Sequence, residues 1–87
     1  MDHPIRVEIR YLSIIRDKTG CRREQVSFPA GSRLQNVADW LNDRYTLPKP
    51  QMMTLLNGRG WKQYPQELST KIKEGDTITL APILSGG

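Results

Sequence analysis

Leu34, Val37, Ala38 and Leu41 fall at i, i+3, i+4 and i+7, the clearest helical stripe in the chain. A helix of that length is not stable alone in water, so its apolar face must be covered by something else. The spacing predicts a helix beginning at Ser32, because Ser32 and Gln35 stand at the separation of a capping box. Asp39, Asn42, Asp43 and Arg44 supply its wet face, and Tyr45 closes its end. The following Leu47-Pro48-Lys49-Pro50 cannot continue a helix.

The rest of the chain supplies strands to cover that stripe. Over residues 5–12, Ile5, Val7, Ile9 and Tyr11 alternate with Arg6, Glu8 and Arg10, the period of a half-buried strand. Residues 13–20 read as a short helical turn and a bend. A second strand follows, with Val26 and Phe28 inward and Gln25 and Ser27 outward, ended by Pro29-Ala30-Gly31. The two strands form an antiparallel pair joined by more than a tight hairpin. Residues 52–56 are an apolar run suited to a buried strand, and Asn57-Gly58 is a type I′ turn signal. Gly60-Trp61 begins the return strand. Residues 68–72 hold a brief helical turn closed by Glu74-Gly75-Asp76, and the last strand runs over 77–81 with Ile78 and Leu80 inward. Pro82, Ile83 and Leu84 lead out of it. The order strand, strand, helix, strands predicts an α+β domain, a mixed sheet packed on one main helix, close to a β-grasp. The expected division is a domain over 1–84 and a flexible tail over 85–87.

Eighty-seven residues make one small domain, with no room for a deep multi-substrate active site. Hydrophobic residues at 37% and charged residues at 25% are ordinary for a globular chain. The formal charge of +4 favours acidic partner surfaces. The basic residues are scattered along the sequence without interleaved aromatics, which argues against nucleic acid as a partner. No apolar stretch has the length of a membrane span, and the N-terminus lacks a signal-peptide pattern, so cytoplasmic residence is the expectation.

Classical catalytic groups are sparse. His3 and Cys21 are the only histidine and cysteine, which rules out an internal disulfide and a zinc cluster. A Cys21–His3 nucleophilic pair needs the fold to bring two distant residues together, and the simpler reading is a half-buried thiol and a terminal histidine. Gly58-Arg59-Gly60 lacks the spacing and the Lys-Ser/Thr ending of a phosphate loop, so a hairpin turn explains its glycines better. The carboxylates suit caps, turns and solvated faces, Asp76 among them. No cofactor or metal is expected on the chain itself, and any ATP used is bound by a partner.

Gly86-Gly87 is different. It follows directly on the strand that completes the core, and Pro82, which cannot donate to a sheet ladder, helps to peel the chain away. Without Cβ, two glycines can thread a channel too narrow for other residues. The terminal carboxylate is a poor electrophile until converted to an acyl-adenylate. A sulfur or amine nucleophile can then attack the unhindered carbonyl of Gly87.

The length, the element order and the ending from Gly75-Asp76 through Leu80-Ala81-Pro82 to Gly86-Gly87 resemble the MoaD/ThiS family of ubiquitin-like sulfur carriers. Leu80 and Ala81 stand where family members often carry aromatics. The resemblance implies a ubiquitin-like β-grasp with a protruding Gly-Gly tail, not catalytic by itself. It implies an E1-like enzyme that adenylates Gly87 with ATP, a sulfur donor that makes the thiocarboxylate, and an acceptor enzyme such as the large subunit of molybdopterin synthase. Other branches serve thiamine, cysteine or tRNA thiolation, and some related carriers are attached to lysines as protein modifiers. A third reading is a plain interaction module in which the glycines are incidental.

Handover between partners needs an apolar patch. Pro82, Ile83, Leu84 and Ser85 beside the tail are candidates, with Trp61, for which the turn context predicts partial exposure. Trp40 and Tyr64 are further aromatic candidates, Trp40 balanced between core and surface.

Overall fold

A computed structural model of the chain describes residues 3–47 and 52–83. Strand β1 (Ile5–Tyr11) turns Val7, Ile9 and Tyr11 inward, as the alternation predicts. Helix α1 (Ile14–Thr19) ends at Gly20, whose φ of 80° gives the left-handed cap that glycine adopts without strain. Strand β2 (Arg23–Phe28) returns antiparallel to β1, from Ile5↔Phe28 to Arg10↔Arg23, so α1 is the long connection expected between them.

Helix α2 (Leu34–Arg44) buries Leu34, Val37 and Leu41, and the Tyr45 amide closes it on the Leu41 carbonyl. Its start differs from the expected capping box. Ser32 is buried and its hydroxyl donates to the Pro29 carbonyl, so it cannot cap. The cap falls one residue later, where the Asn36 side chain accepts the Arg33 amide at 2.8 Å. Arginine has no acceptor to return the bond, so only half of a reciprocal box is present. The shift has a tertiary cause: Leu34 N–H donates to Thr70 O and Ile72 N–H to Ser32 O, which holds Arg33 extended against Lys71.

Strand β3 (Met52–Leu56) turns through Asn57 and Gly58, at φ 51° and 86°, into the two-residue strand β4 (Arg59–Gly60). Tight 3-10 turns at Trp61–Gln63 and Glu67–Ser69 follow, the second standing where the brief helical turn was expected. Strand β5 (Thr77–Pro82) ends the described chain together with Ile83. Pro82 is the last residue of the strand rather than the first beyond it, paired with Met52.

The sheet order is β2-β1-β5-β3-β4, with β5 parallel to β1 and antiparallel to β3. The middle strand therefore buries Ile78 and Leu80 completely, in one cluster with Val7, Ile9, Tyr11, Ile15, Leu34, Val37 and Leu41. Helix α2 covers that face alone. The opposite face carries Arg6, Glu8 and Arg10 from β1, Thr77 and Thr79 from β5, and Met53 and Leu55 from β3, by alternation and register. For this reason the run at 52–56 is not the buried strand expected: only Leu56 is buried, and Met53 is exposed.

Ser13, between β1 and α1, sits at φ 55°, ψ −130°, a region that glycine enters freely and serine does not. Relief of that strain outweighs the extra freedom of glycine in the unfolded chain. Ser13→Gly is expected to stabilise the domain by about 1 kcal/mol, raising the melting midpoint by about 5 °C. A thermal melt followed by circular dichroism checks this, and an unchanged or lower midpoint contradicts it.

Candidate functional site

The middle strand brings the last described residues, Pro82 and Ile83, to one end of the sheet. Leu12 N–H donates to Leu80 O at 3.0 Å, and Met53 lies opposite Ala81. Leu12, one step past the Tyr11↔Leu80 pair, thus flanks Ala81 on one side and Met53 on the other. Leu12 is 47% exposed, Met53 42% and Ile83 48%, so three large apolar side chains lie open around the end of β5. Exposed aliphatic side chains gathered at one place make a candidate contact surface.

Of the residues expected at this surface, Ile83 is exposed and Pro82 half-buried, both at the sheet end. Leu84, Ser85, Gly86 and Gly87 lie outside the described residues, as does the tail expected over 85–87. The expected exposure of Trp61 is corrected: it is 6% exposed and part of the core cluster. The short β4 runs directly into a 3-10 turn, which tucks the indole inward instead of extending it along an edge. Its Nε1 is buried without a hydrogen-bond partner among the described residues. Tyr64 is half-buried, its hydroxyl donating to the Leu56 carbonyl at 2.6 Å with the Arg59 guanidinium over its ring. Trp40 is half-buried, edge-on to Phe28 and Tyr45 with Arg44 at 5.2 Å.

Leu12 and Met53 were not among the expected patch residues, though one signal was available. Extending the β1 alternation by one residue puts Leu12 on the face of Arg6, Glu8 and Arg10, where a polar residue would be ordinary. Met53 carried no such signal, because an unbroken apolar run does not say which of its residues face in.

The same end of the sheet is held rigid from beneath. Glu24 Oε2 accepts from the Tyr11 hydroxyl at 2.6 Å and from the Tyr45 hydroxyl at 2.7 Å, tying β1, β2 and the end of α2 together. Burial first, and then the bond to Glu24, push the Tyr11 phenol far above its ordinary pKa, so it stays a neutral donor. Tyr45 is raised for the same leading reasons, against an opposing bond from Arg44.

The remaining candidates are structural. His3 precedes Ile5, which pairs with Phe28, while Cys21 lies beyond the Arg10↔Arg23 pair, so the two are at opposite ends of the β1–β2 ladder. Cys21 Sγ instead lies 3.9 Å from both Thr19 Oγ1 and Glu24 Oε2. Gly58-Arg59-Gly60 is a hairpin turn leading into β4. Asp76 is a turn residue, as read: Oδ2 accepts the Lys73 amide at 2.7 Å, and Oδ1 accepts from Asn57 Nδ2 at 3.0 Å. Among the described residues no group of three or more His, Cys, Asp and Glu could hold a metal ion, and no helix is long and apolar enough to cross a membrane.

Comparison with known proteins bears on this arrangement. The model of the ThiS family matches residues 9–87, from within β1 through the two final glycines. No curated protein matches the chain. The structure is similar to that of a protein named as molybdopterin converting factor, subunit 1, from Pyrococcus furiosus, with a TM-score of 0.77 and 19% identity over 92% of this chain and 99% of that one. It is similar to small archaeal modifier protein 1 from Methanosarcina acetivorans, with a TM-score of 0.74 and 21% identity over 99% and 100% of the two chains. It is also similar to a chain of the BexX/CysO complex of Amycolatopsis orientalis, with a TM-score of 0.63 and 21% identity over 93% and 99%. At these identities the likeness speaks for the fold, the ubiquitin-like β-grasp expected from the order of elements.

Proposed function

Because this chain belongs to the ThiS family, of ubiquitin-like sulfur carriers, we propose that it carries sulfur on the carboxyl group of Gly87. A carboxylate oxygen of Gly87 attacks the α-phosphorus of ATP held by an E1-like partner, and pyrophosphate leaves. Sulfide then attacks the carbonyl carbon, the bond to AMP breaks, and a thiocarboxylate remains. That sulfur is delivered to an acceptor enzyme, of which the large subunit of a molybdopterin synthase is the first to test.

The observation that carries this reading is where β5 ends. The middle strand of the sheet brings the chain out at Pro82 and Ile83, between Leu12 and Met53, with the matched Gly86-Gly87 a few residues beyond. A rigid body, an apolar contact surface and a glycine end together suit a domain that is held by its surface while its terminus is worked on by another protein. The large groups of nucleotide chemistry are supplied by that other protein.

The test is the intact mass of the chain after incubation with its host's E1-like enzyme, ATP and sulfide. A gain equal to one oxygen-for-sulfur exchange, located on the C-terminal peptide, is expected. No gain, with the enzyme active on another carrier, sinks the reading, and an isopeptide bond from Gly87 to lysine would assign the chain to the modifiers instead. The surface has its own prediction. Met53→Asp places a charge on an exposed residue, so the fold should keep its stability within about 0.5 kcal/mol. Loss of an anchor from the contact surface should weaken binding to the activating enzyme by about 2 kcal/mol, or about thirtyfold in Kd. Titration calorimetry checks it, and unchanged affinity removes Met53 from the interface.

A further inference from the structure

A second feature lies beside the apolar patch. Arg10, Arg16, Arg22 and Arg23 line one open cleft of about 620 Å³ together with Tyr11, Leu12 and Ser13. In sequence these arginines stand in β1, in α1, just before β2 and at its first residue, and the fold gathers them where α1 joins β1 to β2. Leu12 belongs to both the cleft and the patch. Arg10 and Arg23 are direct cross-strand partners, an arrangement in which like charges repel. Arg10 is relieved by Glu8 on its own strand. Among the described residues Arg16, Arg22 and Arg23 have no carboxylate within 4.0 Å, the nearby Glu24 being engaged by two tyrosine hydroxyls. All three are exposed.

A fold that gathers guanidinium groups without neutralising them has a surface that an anionic partner would complete. Guanidinium forks take carboxylates in pairs of parallel hydrogen bonds, which fixes orientation as well as attraction. The cleft shares Leu12 with the apolar patch at the end of β5, so one partner can cover both. We propose that this cleft receives an acidic segment, clustered Asp and Glu side chains, of the enzyme that activates Gly87. The proposal rests on the carrier reading and adds to it the chemistry of the partner. The cleft draws the enzyme in by long-range attraction and adds charge-paired affinity to that of the apolar contacts.

The test is ATP–pyrophosphate exchange driven by the full chain with its host's E1-like enzyme, at low and high salt. The triple variant R16E/R22E/R23E should raise KM at least about tenfold with little change in kcat, and should flatten the salt dependence. R16Q/R22Q/R23Q should do the same to a smaller degree. The three positions are exposed, and circular dichroism confirms that each variant is folded. K62E/K71E/K73E changes net charge equally on residues outside the cleft and should leave KM within about twofold, because the effect belongs to the cleft and not to overall charge. Equal loss in both charge-reversed variants, or no loss in the cleft variant, overturns the docking role while the carrier reading stands. No exchange with the unaltered chain overturns both. If the cleft variant loses only affinity for a single-stranded RNA oligomer and keeps its KM, the occupant is nucleic acid and the proposal falls.

Discussion

Deleting Gly87 is expected to abolish the sulfur-bearing product and leave the fold's melting midpoint unchanged. Among the described residues the buried cluster ends with Leu80, well before the deleted position. What is lost is the acyl carbon's position. The shortened chain would still present Leu12, Met53 and the arginine cleft, so it should bind the activating enzyme and compete with the full chain. Its carboxylate would stop one residue short of the nucleotide, and a misplacement of about 1 Å already costs about a hundredfold in a positioned reaction. Mass spectrometry should detect no thiocarboxylate, while inhibition of the unaltered chain shows that binding persists. If the deleted chain is loaded with sulfur as readily, the glycine end is incidental and the domain is an interaction module.

Leu80→Ala should have the reverse effect. Leu80 is fully buried in the middle strand, among β1, β3 and the α2 stripe, where the surroundings cannot collapse onto the space left behind. Large-to-small changes at such sites cost about 3 kcal/mol, which lowers the midpoint of a domain this size by roughly 15 °C. Well below the lowered midpoint, Gly87 should still be loaded at nearly the normal rate, because Leu80 shapes the platform and touches no reacting atom. Thermal melts paired with the loading assay separate the two effects. A loss below about 1 kcal/mol would mean that the middle strand is less tightly packed than its burial indicates.

The two changes also mark what was legible in the sequence. The α2 stripe, the β1 alternation, the Asn57-Gly58 turn and the inward Ile78 and Leu80 are local patterns, each set by residues within a few positions of one another. They were readable because the physics that fixes them is local. The cap at Arg33 was not, since Thr70, Lys71 and Ile72 reach across from a distant segment to hold it. Trp61 was misjudged because its burial depends on how the chain folds back after β4. The arginine cleft was invisible for the same reason. Scattered charges at 10, 16, 22 and 23 line one cleft only once β1, α1 and β2 have come together. The apolar patch at the end of β5 was legible only in part, through Ile83 and Pro82.

The place of β5 also governs the order in which this molecule can come into being. Its two neighbours, β1 and β3, are both made before it, and neither has the other to pair with. A nascent chain emerging from the ribosome can form the β1–β2 hairpin and α2, but the sheet remains two halves until residues 77–82 clear the exit tunnel. Products terminated before this strand therefore do not fold into near-copies of the domain. The strand that closes the sheet is the last of the described elements to be made, so a chain that folds has already been translated through residues 77–82.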